Sequence, residues 1–279
     1  MDYLVSILLP TRHRPNSLIE SVKSLVDNAD NINDIQILLK IDDDDYSYWN
    51  IYPQLYEITP HIKMIISPRG NGYWDLHKYV NNLCSIADGK YLFLWNDDAI
   101  METKGWDSIL QENESGLFGE PTKIIFFETN TFPTIFPIIH KKIYDILGHF
   151  SLMPHNDGWI VNVGLKAEMT RYEPRIRAIH DRFDATGNHN DTTYSDQYNL
   201  NGINPYETIN NVWYSMEMIL NRLEDINKLR DYSGLEKLNT SNYIKEEANL
   251  INEPPNYDFD KFWETHEVEE GDRYYHYTH

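Results

Sequence analysis

Short apolar runs recur through the first hundred residues of the chain. The run over 4–9 is interrupted only by Ser6, and similar runs cover 35–41, 62–66 and 91–95. Runs of four to eight apolar residues bounded by turn residues are typical of strands that are buried on both faces. The pattern therefore predicts four buried strands.

Helical spacing separates these runs. The first helical face begins after Pro15, which suits the first turn of a helix, and a second face ends at Gly89. The apolar positions of the two faces are Leu18, Ile19, Val22, Leu25 and Val26, then Leu76, Tyr79, Val80, Leu83 and Ala87. Strands alternating with helices predict an α/β fold with a mostly parallel sheet flanked by helices.

The second half of the chain has a less regular pattern. It predicts strands over 124–127 and 135–139, a short helix over 142–147 that ends at Gly148, a helix over 159–169 and a long amphipathic helix over 210–229. From residue 231 onward the chain is polar, acidic and rich in tyrosine. We therefore expect a catalytic domain over 1–200 and a helical or irregular C-terminal extension with an acidic tail over 201–279.

Composition and charge exclude several classes of function. The 279 residues include 44 acidic and 24 basic side chains, which gives a net charge of −20. This charge argues against a nucleic-acid surface or an anionic membrane surface, although a few local cations can still hold a small anion. The single cysteine, Cys84, excludes an intrachain disulfide. With no signal peptide or apolar span in the sequence, we expect a cytoplasmic protein, in the host cytoplasm if it is viral.

Three predicted strands are followed by unusual polar residues. Pro10–Arg14 is basic, Asp42–Asp45 is acidic, and Asn96–Asp98 follows the fourth strand. Ligands of an open parallel sheet bind beyond the carboxyl ends of its strands, so these loops predict a phosphate ligand bridged by a divalent cation. The alternatives are a solvated turn for the acidic run and plain surface charges for Arg12 and Arg14. The glycine-rich dinucleotide fingerprint, the P-loop and the serine nucleophile elbow are missing from the sequence.

Taken together, these motifs resemble those of inverting, family-2-like glycosyltransferases with the GT-A fold. The matching segments are Ile7-Leu8-Leu9-Pro10-Thr11-Arg12-His13-Arg14-Pro15, then Ile41-Asp42-Asp43-Asp44-Asp45, then Asn81, Ala87 and Gly89, then Asn96-Asp97-Asp98, then Gly105-Trp106. The resemblance covers about residues 3 to 185. It departs from the family's Asp-x-Asp metal motif at Asn96, which stands in place of the first aspartate.

The resemblance implies roles for particular residues. Asp98 would be a metal ligand, completed by His180 with His189 as the competitor. Asp157, in Asn156-Asp157-Gly158, would be the catalytic base, although the same residues are also typical of a plain turn. The residues expected to bind the nucleotide sugar are Pro10, Thr11, Arg12, Asp42, Asp44, Arg69, Asn81, Asn96 and Asp97.

The predicted activity is transfer of a hexose, most simply from a UDP-sugar, to an unknown glycan or other hydroxyl acceptor with inversion. Its cofactor would be a divalent metal, Mn²⁺ or Mg²⁺, and an oligomer is possible. One alternative is a nucleotide- or sugar-binding module without catalysis. It stays open because Asn96 replaces the first aspartate of the metal motif. Another is a sugar nucleotidyltransferase, although the glycine-rich loop with a lysine after the first strand is missing here.

Overall fold

Four parallel strands form the first half of a single sheet in the computed structural model, which describes residues 3–117, 119–181 and 210–252. They are β1 (Tyr3–Thr11), β2 (Ile35–Asp42), β3 (Ile62–Ser67) and β4 (Gly89–Leu94), in the spatial order β3-β2-β1-β4. In this register Ile7 lies opposite Ile37 on one side and Phe93 on the other. The four predicted strands are therefore confirmed.

The second half of the sheet is mixed. Its strands are β5 (Ala99–Met101), β6 (Ile124–Thr129), β7 (Ile138–His140) and β8 (Thr170–His180). The full order is β3-β2-β1-β4-β7-β6-β8-β5, with β7 antiparallel to β4 and β6, β6 parallel to β8, and β5 antiparallel to β8. The carboxyl ends of β1, β2, β4 and β8 consequently lie along one edge.

Helices cover both faces of this sheet. They are α1 (Pro15–Asp27), α2 (Tyr52–Ile58), α3 (Leu76–Ser85), α4 (Trp106–Glu114), α5 (Lys141–Leu147), α6 (Asn156–Lys166), α7 (Met216–Tyr232) and α8 (Thr240–Asn252). The predicted α/β architecture, a mostly parallel sheet flanked by helices, is confirmed.

Two hydrophobic clusters account for the continuous apolar runs in the strands. Along β1, Ile7 and Leu9 enter the cluster that contains α1 and α4, while Leu8 enters the cluster that contains α3, α5, α6 and α7. Successive side chains of a strand point to opposite faces, so a strand covered on both faces needs apolar residues at every position. Ile7, Leu8 and Leu9 are all fully buried.

Close backbone approach explains two glycines. A Cβ atom on Gly89 would lie 2.4 Å from the backbone nitrogen of Ser6, so the start of β4 can approach β1 only without a side chain. A Cβ atom on Gly164 would lie 2.5 Å from Ile124 Cδ1. Gly164 therefore lets α6 pack closely on β6, which outweighs the low helix propensity of glycine.

The sequence-based prediction differs from the structure at several elements, and it did not include α2 or α4. No strand was predicted over β5 or β8, because Pro174 and alternating charged residues hide the buried positions of β8. The predicted helix over 210–229 is wrong as a single element, since the helical turn at 210–213 ends before α7 begins. Ser215 causes this break because its hydroxyl caps α7 by accepting a hydrogen bond from Met218 N, at 3.3 Å.

The C-terminal helices pack on the rest of the fold. Helix α7 contacts α5 and α6 and buries Leu223, Ile226 and Leu229 in the same cluster as Trp159. The acidic tail predicted beyond this region lies outside the described residues from 253 onward. Among the residues that the structure describes, no helix is both long and apolar enough to cross a bilayer. The boundary at residue 200 remains a prediction.

Candidate active site

The three polar loops predicted to converge do lie together at the carboxyl edge of the sheet. Thr11 is hydrogen-bonded to Asp97, and Arg12 to Asp42 and Asp44. The end of β8 joins them through His180, which contacts Asp98. The loops after β1, β2 and β4 and the end of β8 therefore form one polar site, which we call the edge site.

The central pair of the edge site is Asp98 and His180. Nε2 of His180 lies 3.2 Å from Asp98 Oδ1, and the Asn96 side-chain nitrogen lies 3.4 Å from the same imidazole nitrogen. The backbone reinforces the pair, since Asp181 N donates to the Asp98 carbonyl oxygen at 2.7 Å. His180 is 2% exposed, and within the described residues its buried Nδ1 has no hydrogen-bond partner.

Asp97 sits in a buried network instead of facing an open pocket. Its Oδ2 accepts from the Thr11 hydroxyl at 2.5 Å, and that hydroxyl also lies 2.7 Å from Tyr48 Oη. Its Oδ1 accepts from Arg14 Nη1 at 2.9 Å. Thr11 and Asp97 thus fix the loop after β1 onto the loop after β4.

Arg14 bridges the two aspartates of the metal motif. Nη1 of Arg14 donates both to Asp97 Oδ1 and to Asp98 Oδ2, the latter at 3.1 Å. Its backbone nitrogen donates to Tyr48 Oη, also at 3.1 Å. The sequence placed Arg14 in the basic loop and left a plain surface charge open as the alternative, because nothing in the sequence shows which carboxylates its side chain meets.

The pKa values of the two neighbouring carboxyl groups, Asp97 and Asp98, are shifted in opposite directions. Burial raises the pKa of Asp97 above its ordinary value, although the charge of Arg14 opposes this. Burial also acts on Asp98, but its hydrogen bond to His180 and the charges of His180 and Arg14 outweigh burial and leave the pKa of Asp98 below its ordinary value. Asp98 is thus stabilised as an anion by its neighbours, whereas burial disfavours the charge of Asp97.

A second ion-pair network holds the acidic run after β2. Arg12 Nη1 donates to Asp42 Oδ2 at 2.8 Å and to Asp44 Oδ1 at 2.5 Å. Lys40, which is 2% exposed, binds the other oxygen of Asp42 and lies 3.6 Å from the ring centroid of Tyr79. The sequence-based prediction missed Lys40, because a lysine within an apolar strand does not reveal which side chain it pairs with.

A small pocket adjoins this network. Its walls include Asp42, Asp43, Tyr48, Trp49 and Met64. Trp49 is 57% exposed, which is unusual for so large an aromatic side chain. The pocket thus places an accessible aromatic ring beside carboxylate acceptors.

In the described part of the chain, the hydrogen bonds of Asn81 and the ion pair of Asp157 are made outside the edge site. The amide of Asn81 accepts from Phe150 N and donates to the Ser151 carbonyl oxygen, both at 2.7 Å. Asp157 stands in the first turn of α6, with its Oδ1 3.6 Å from His155 Nε2. Asn81 thus links α3 to the backbone of the loop before α6 through these two hydrogen bonds.

Arg69 and Pro10 lie near the edge site, and His189 cannot be placed. Pro10 precedes Thr11 at the end of β1, and the charge of Arg69 helps to lower the pKa of Asp44, after the hydrogen bond and charge of Arg12. His189, the competing metal ligand, lies outside the described residues.

The donor atoms of Asp98 and His180 fit a divalent metal whose remaining coordination positions are filled by oxygens of water and a bound phosphate ligand. The described residues contain no group of three or more His, Cys, Asp or Glu side chains arranged for a metal. Mg²⁺ and similar ions are commonly held by one or two protein groups together with water and phosphate oxygens. One carboxylate oxygen facing one buried imidazole nitrogen fits this second kind of site.

Comparison with solved structures identifies the fold. A mannosyltransferase from Pyrobaculum calidifontis, PcManGT, solved with GDP-Man and Mn²⁺, matches 94% of this chain and 83% of its own, at 11% identity and a TM-score of 0.50. The chain therefore has the GT-A fold found in glycosyltransferases, as the resemblance predicted.

Other matches are weaker. S. aureus TarS 1-349 with UDP matches 91% of this chain and 92% of its own, at 9% identity and a TM-score of 0.48. The chain spans about half of the longer TarS structure, with 48% of it covered at the same identity and TM-score. No protein-family model and no curated protein sequence matches the chain.

Proposed function

We propose that this protein is a metal-dependent glycosyltransferase that moves a hexose from a nucleotide sugar to a hydroxyl acceptor with inversion. The observation that carries the proposal is the pairing of Asp98 with His180 at the carboxyl edge of a GT-A sheet. Ligands of open α/β sheets bind at this edge. Arg12 and Arg14 add two guanidinium groups, which suit the phosphates of a nucleotide.

Asp98 and His180 would hold the divalent metal, Mn²⁺ or Mg²⁺. When bound, the metal supplies Lewis-acid stabilisation of the charge that develops on a nucleoside diphosphate leaving group. The contribution of the chain is to orient both donors, through the Asp181 N–H on the Asp98 backbone and the burial of His180. The PcManGT structure also contains Mn²⁺ together with GDP-Man.

The pocket beside the acidic run is the proposed nucleobase site. A base stacked on Trp49 would present its ring N–H groups to Asp42 or Asp43. Both oxygens of Asp42 already accept from Arg12 and Lys40, but a carboxylate oxygen can accept two hydrogen bonds. A pyrimidine with a ring N–H fits such acceptors, so a UDP-sugar is the proposed donor.

Asp157 is the proposed general base. It would take the proton of the acceptor hydroxyl as that oxygen attacks the sugar C1 from the face opposite the leaving group. Its side chain at the start of α6 is 30% exposed, so an acceptor hydroxyl can reach it. The acceptor, the cytoplasmic location and any oligomer remain predictions.

Titration calorimetry tests the proposal most directly. UDP and GDP would be titrated with and without Mn²⁺, and we expect binding that is at least about tenfold tighter with the metal. Absence of binding to either nucleotide in the presence of Mn²⁺ would contradict the proposal. Donor binding without transfer or hydrolysis of any nucleotide sugar would support the non-catalytic binding module instead.

Asp98→Ala should abolish the effect of Mn²⁺ on nucleotide affinity, because it removes the only carboxylate facing His180 in the described site. Asp145→Ala is a matched control, since Asp145 is a half-exposed carboxylate paired with Lys141 on α5. Both variants would be measured by the same calorimetric titration. If Asp98→Ala kept a normal metal effect, the metal would have to bind elsewhere.

Asp157→Asn should keep donor affinity and lose at least about a hundredfold in transfer rate, because asparagine cannot accept the acceptor proton. Donor affinity by calorimetry and release of nucleoside diphosphate in the presence of acceptor separate the two effects. A fully active Asp157→Asn variant would exclude Asp157 as the base.

A further inference from the structure

Resting on the proposed function, we infer that Arg14 couples metal binding to diphosphate binding. Arg14 and the divalent cation share Asp98, and the diphosphate offers Arg14 a new anionic partner. Binding of the metal and binding of the diphosphate then favour each other through the movement of one side chain.

The first step of the argument is the shared carboxylate. Arg14 Nη1 is 3.1 Å from Asp98 Oδ2, while His180 Nε2 is 3.2 Å from Asp98 Oδ1. The two oxygens of Asp98 thus face two different cationic or metal-binding groups. A cation held by Asp98 and His180 lies within one carboxyl group of the Arg14 guanidinium, so their positive charges repel.

Burial makes this competition strong. The side chains of Arg14, Asp97 and Asp98 are 19%, 8% and 16% exposed, so water screens their interactions only partly. With His180 neutral, as a metal ligand must be, the side chains of Asp97, Asp98 and Arg14 together carry a charge of about −1, which a divalent cation changes to about +1. A bound diphosphate makes the net charge of the site negative again, because it brings its own negative charge to the same edge of the sheet.

Arg14 is also placed to reach such an anion. It lies in the loop between β1 and α1, at the carboxyl edge where ligands of open α/β sheets bind. His13, the residue before it, has a φ of +56° and is held there by Asp45, which accepts from His13 N at 2.7 Å. This hydrogen bond holds the backbone of the loop, so we assign the exchange of partners to rotation of the Arg14 side chain.

The coupling is reciprocal, so it can be measured from either ligand. Mn²⁺ affinity without nucleotide, UDP affinity without metal, and UDP affinity with saturating Mn²⁺ would be determined for the full chain. The variants are Arg14→Gln, which removes the charge, and Arg14→Lys, which keeps it. Lys63→Gln is the control, because it removes one charge from an exposed pair with Asp88 at the opposite edge of the sheet.

We expect Arg14→Gln to bind Mn²⁺ alone more tightly, by about threefold or more, because Asp98 is released from its competing partner. It should bind UDP with saturating Mn²⁺ about tenfold more weakly, since a charge-assisted hydrogen bond to phosphate is lost. UMP affinity should change less than UDP affinity. Arg14→Lys should recover part of the UDP affinity, and Lys63→Gln should match the unchanged protein.

Unchanged or weaker Mn²⁺ binding by Arg14→Gln would overturn the inference, as would unchanged UDP binding. Circular dichroism and thermal melting would establish that the variant is folded, and Arg14→Lys provides a second measurement if Arg14→Gln is not. Failure of the original chain to bind UDP or GDP with Mn²⁺ would contradict the proposed function itself. Normal UDP binding by both the original chain and Arg14→Gln would contradict the coupling alone.

Discussion

Individual polar residues in the edge site have more partners inside the protein than their motifs suggest. Thr11 binds Asp97 and Tyr48, and Asp42 binds Arg12 and Lys40. A buried carboxylate is stable only when its hydrogen bonds are satisfied, so the protein provides these partners itself. The residues that surround the proposed ligand therefore also hold the ends of the strands together.

Lys40→Met tests this dual role at the level of one residue. Methionine preserves the length of the side chain but leaves the nearly buried Asp42 with Arg12 as its remaining cationic partner, so we expect a loss of about 2 kcal/mol in the free energy of unfolding. Urea denaturation at neutral pH measures it. Adding Asp42→Asn should recover much of the loss, because the uncompensated charge is then removed.

Lys63→Met is the matched control for this prediction. Lys63 pairs with Asp88 at 3.4 Å, but the two side chains are 56% and 49% exposed. Exposed ion pairs contribute little, so we expect a change within about 0.5 kcal/mol. Equal losses for Lys40→Met and Lys63→Met would show that burial does not decide the strength of these pairs.

At the scale of elements, the docking of α7 depends on one buried carboxylate. Asp225 is 2% exposed, and its Oδ2 accepts from Trp159 Nε1 at 3.0 Å and lies 3.2 Å from His149 Nε2. Trp159 belongs to α6, and His149 lies just after α5. Asp225 thus joins three elements at one point.

Asp225→Ala should lower the free energy of unfolding by about 1–3 kcal/mol, because the indole N–H of Trp159 stays buried without an acceptor. Asp225→Asn should lose less, since its amide oxygen can still accept. Glu224→Ala is the control, because Glu224 is the next residue on α7 but is 65% exposed. A loss in Glu224→Ala as large as in Asp225→Ala would mean that the effect comes from the helix and not from the buried contact.

At the scale of the whole molecule, the carboxyl groups behind the net charge of −20 differ in their surroundings and in their pKa values. Several carboxyl groups outside the metal motif have their pKa held below the ordinary value by hydrogen bonds and cations, against the opposing effect of burial. They are Asp44, Asp45, Asp75, Asp88, Glu120 and Glu224. Each of them is more acidic in the folded than in the unfolded chain.

This linkage predicts acid denaturation. Groups with a lowered folded pKa stabilise the fold fully above their unfolded pKa of about 4, and that stability is lost as the pH falls through the folded values. We therefore expect the urea midpoint to fall steadily below about pH 4. Urea titrations between pH 7 and pH 2 measure it, and a midpoint that stayed constant down to pH 2 would contradict the prediction.

Asp45→Asn isolates one contribution. Burial opposes the shift, but hydrogen bonds from Ser47 and from His13 N keep the pKa of Asp45 below its ordinary value. The variant should therefore be less stable than the original chain at pH 7 and should lose less stability on acidification. The difference between the two chains should shrink as the pH falls below about 4.

The sequence by itself determined the four parallel strands β1 to β4, the helices α1 and α3 and the polar loops at the strand ends. Apolar runs such as 4–9 are local patterns, and their buried positions follow from the alternation of side chains in a strand. The motif positions of Gly89 and Asp98 were also visible without a structure. Local spacing and composition are enough for such features because they depend on neighbours along the chain.

Only the tertiary structure decided which of these residues meet. Arg14 and Asp98 are 84 positions apart, as are Asn96 and His180, and Asp225 reaches Trp159 across 66 positions. Whether a lysine such as Lys40 is a solvated charge or a buried partner depends on which side chains surround it. Ion pairing and burial act through space, so the pattern along the chain places the loops at one edge, and the fold alone fixes their partners.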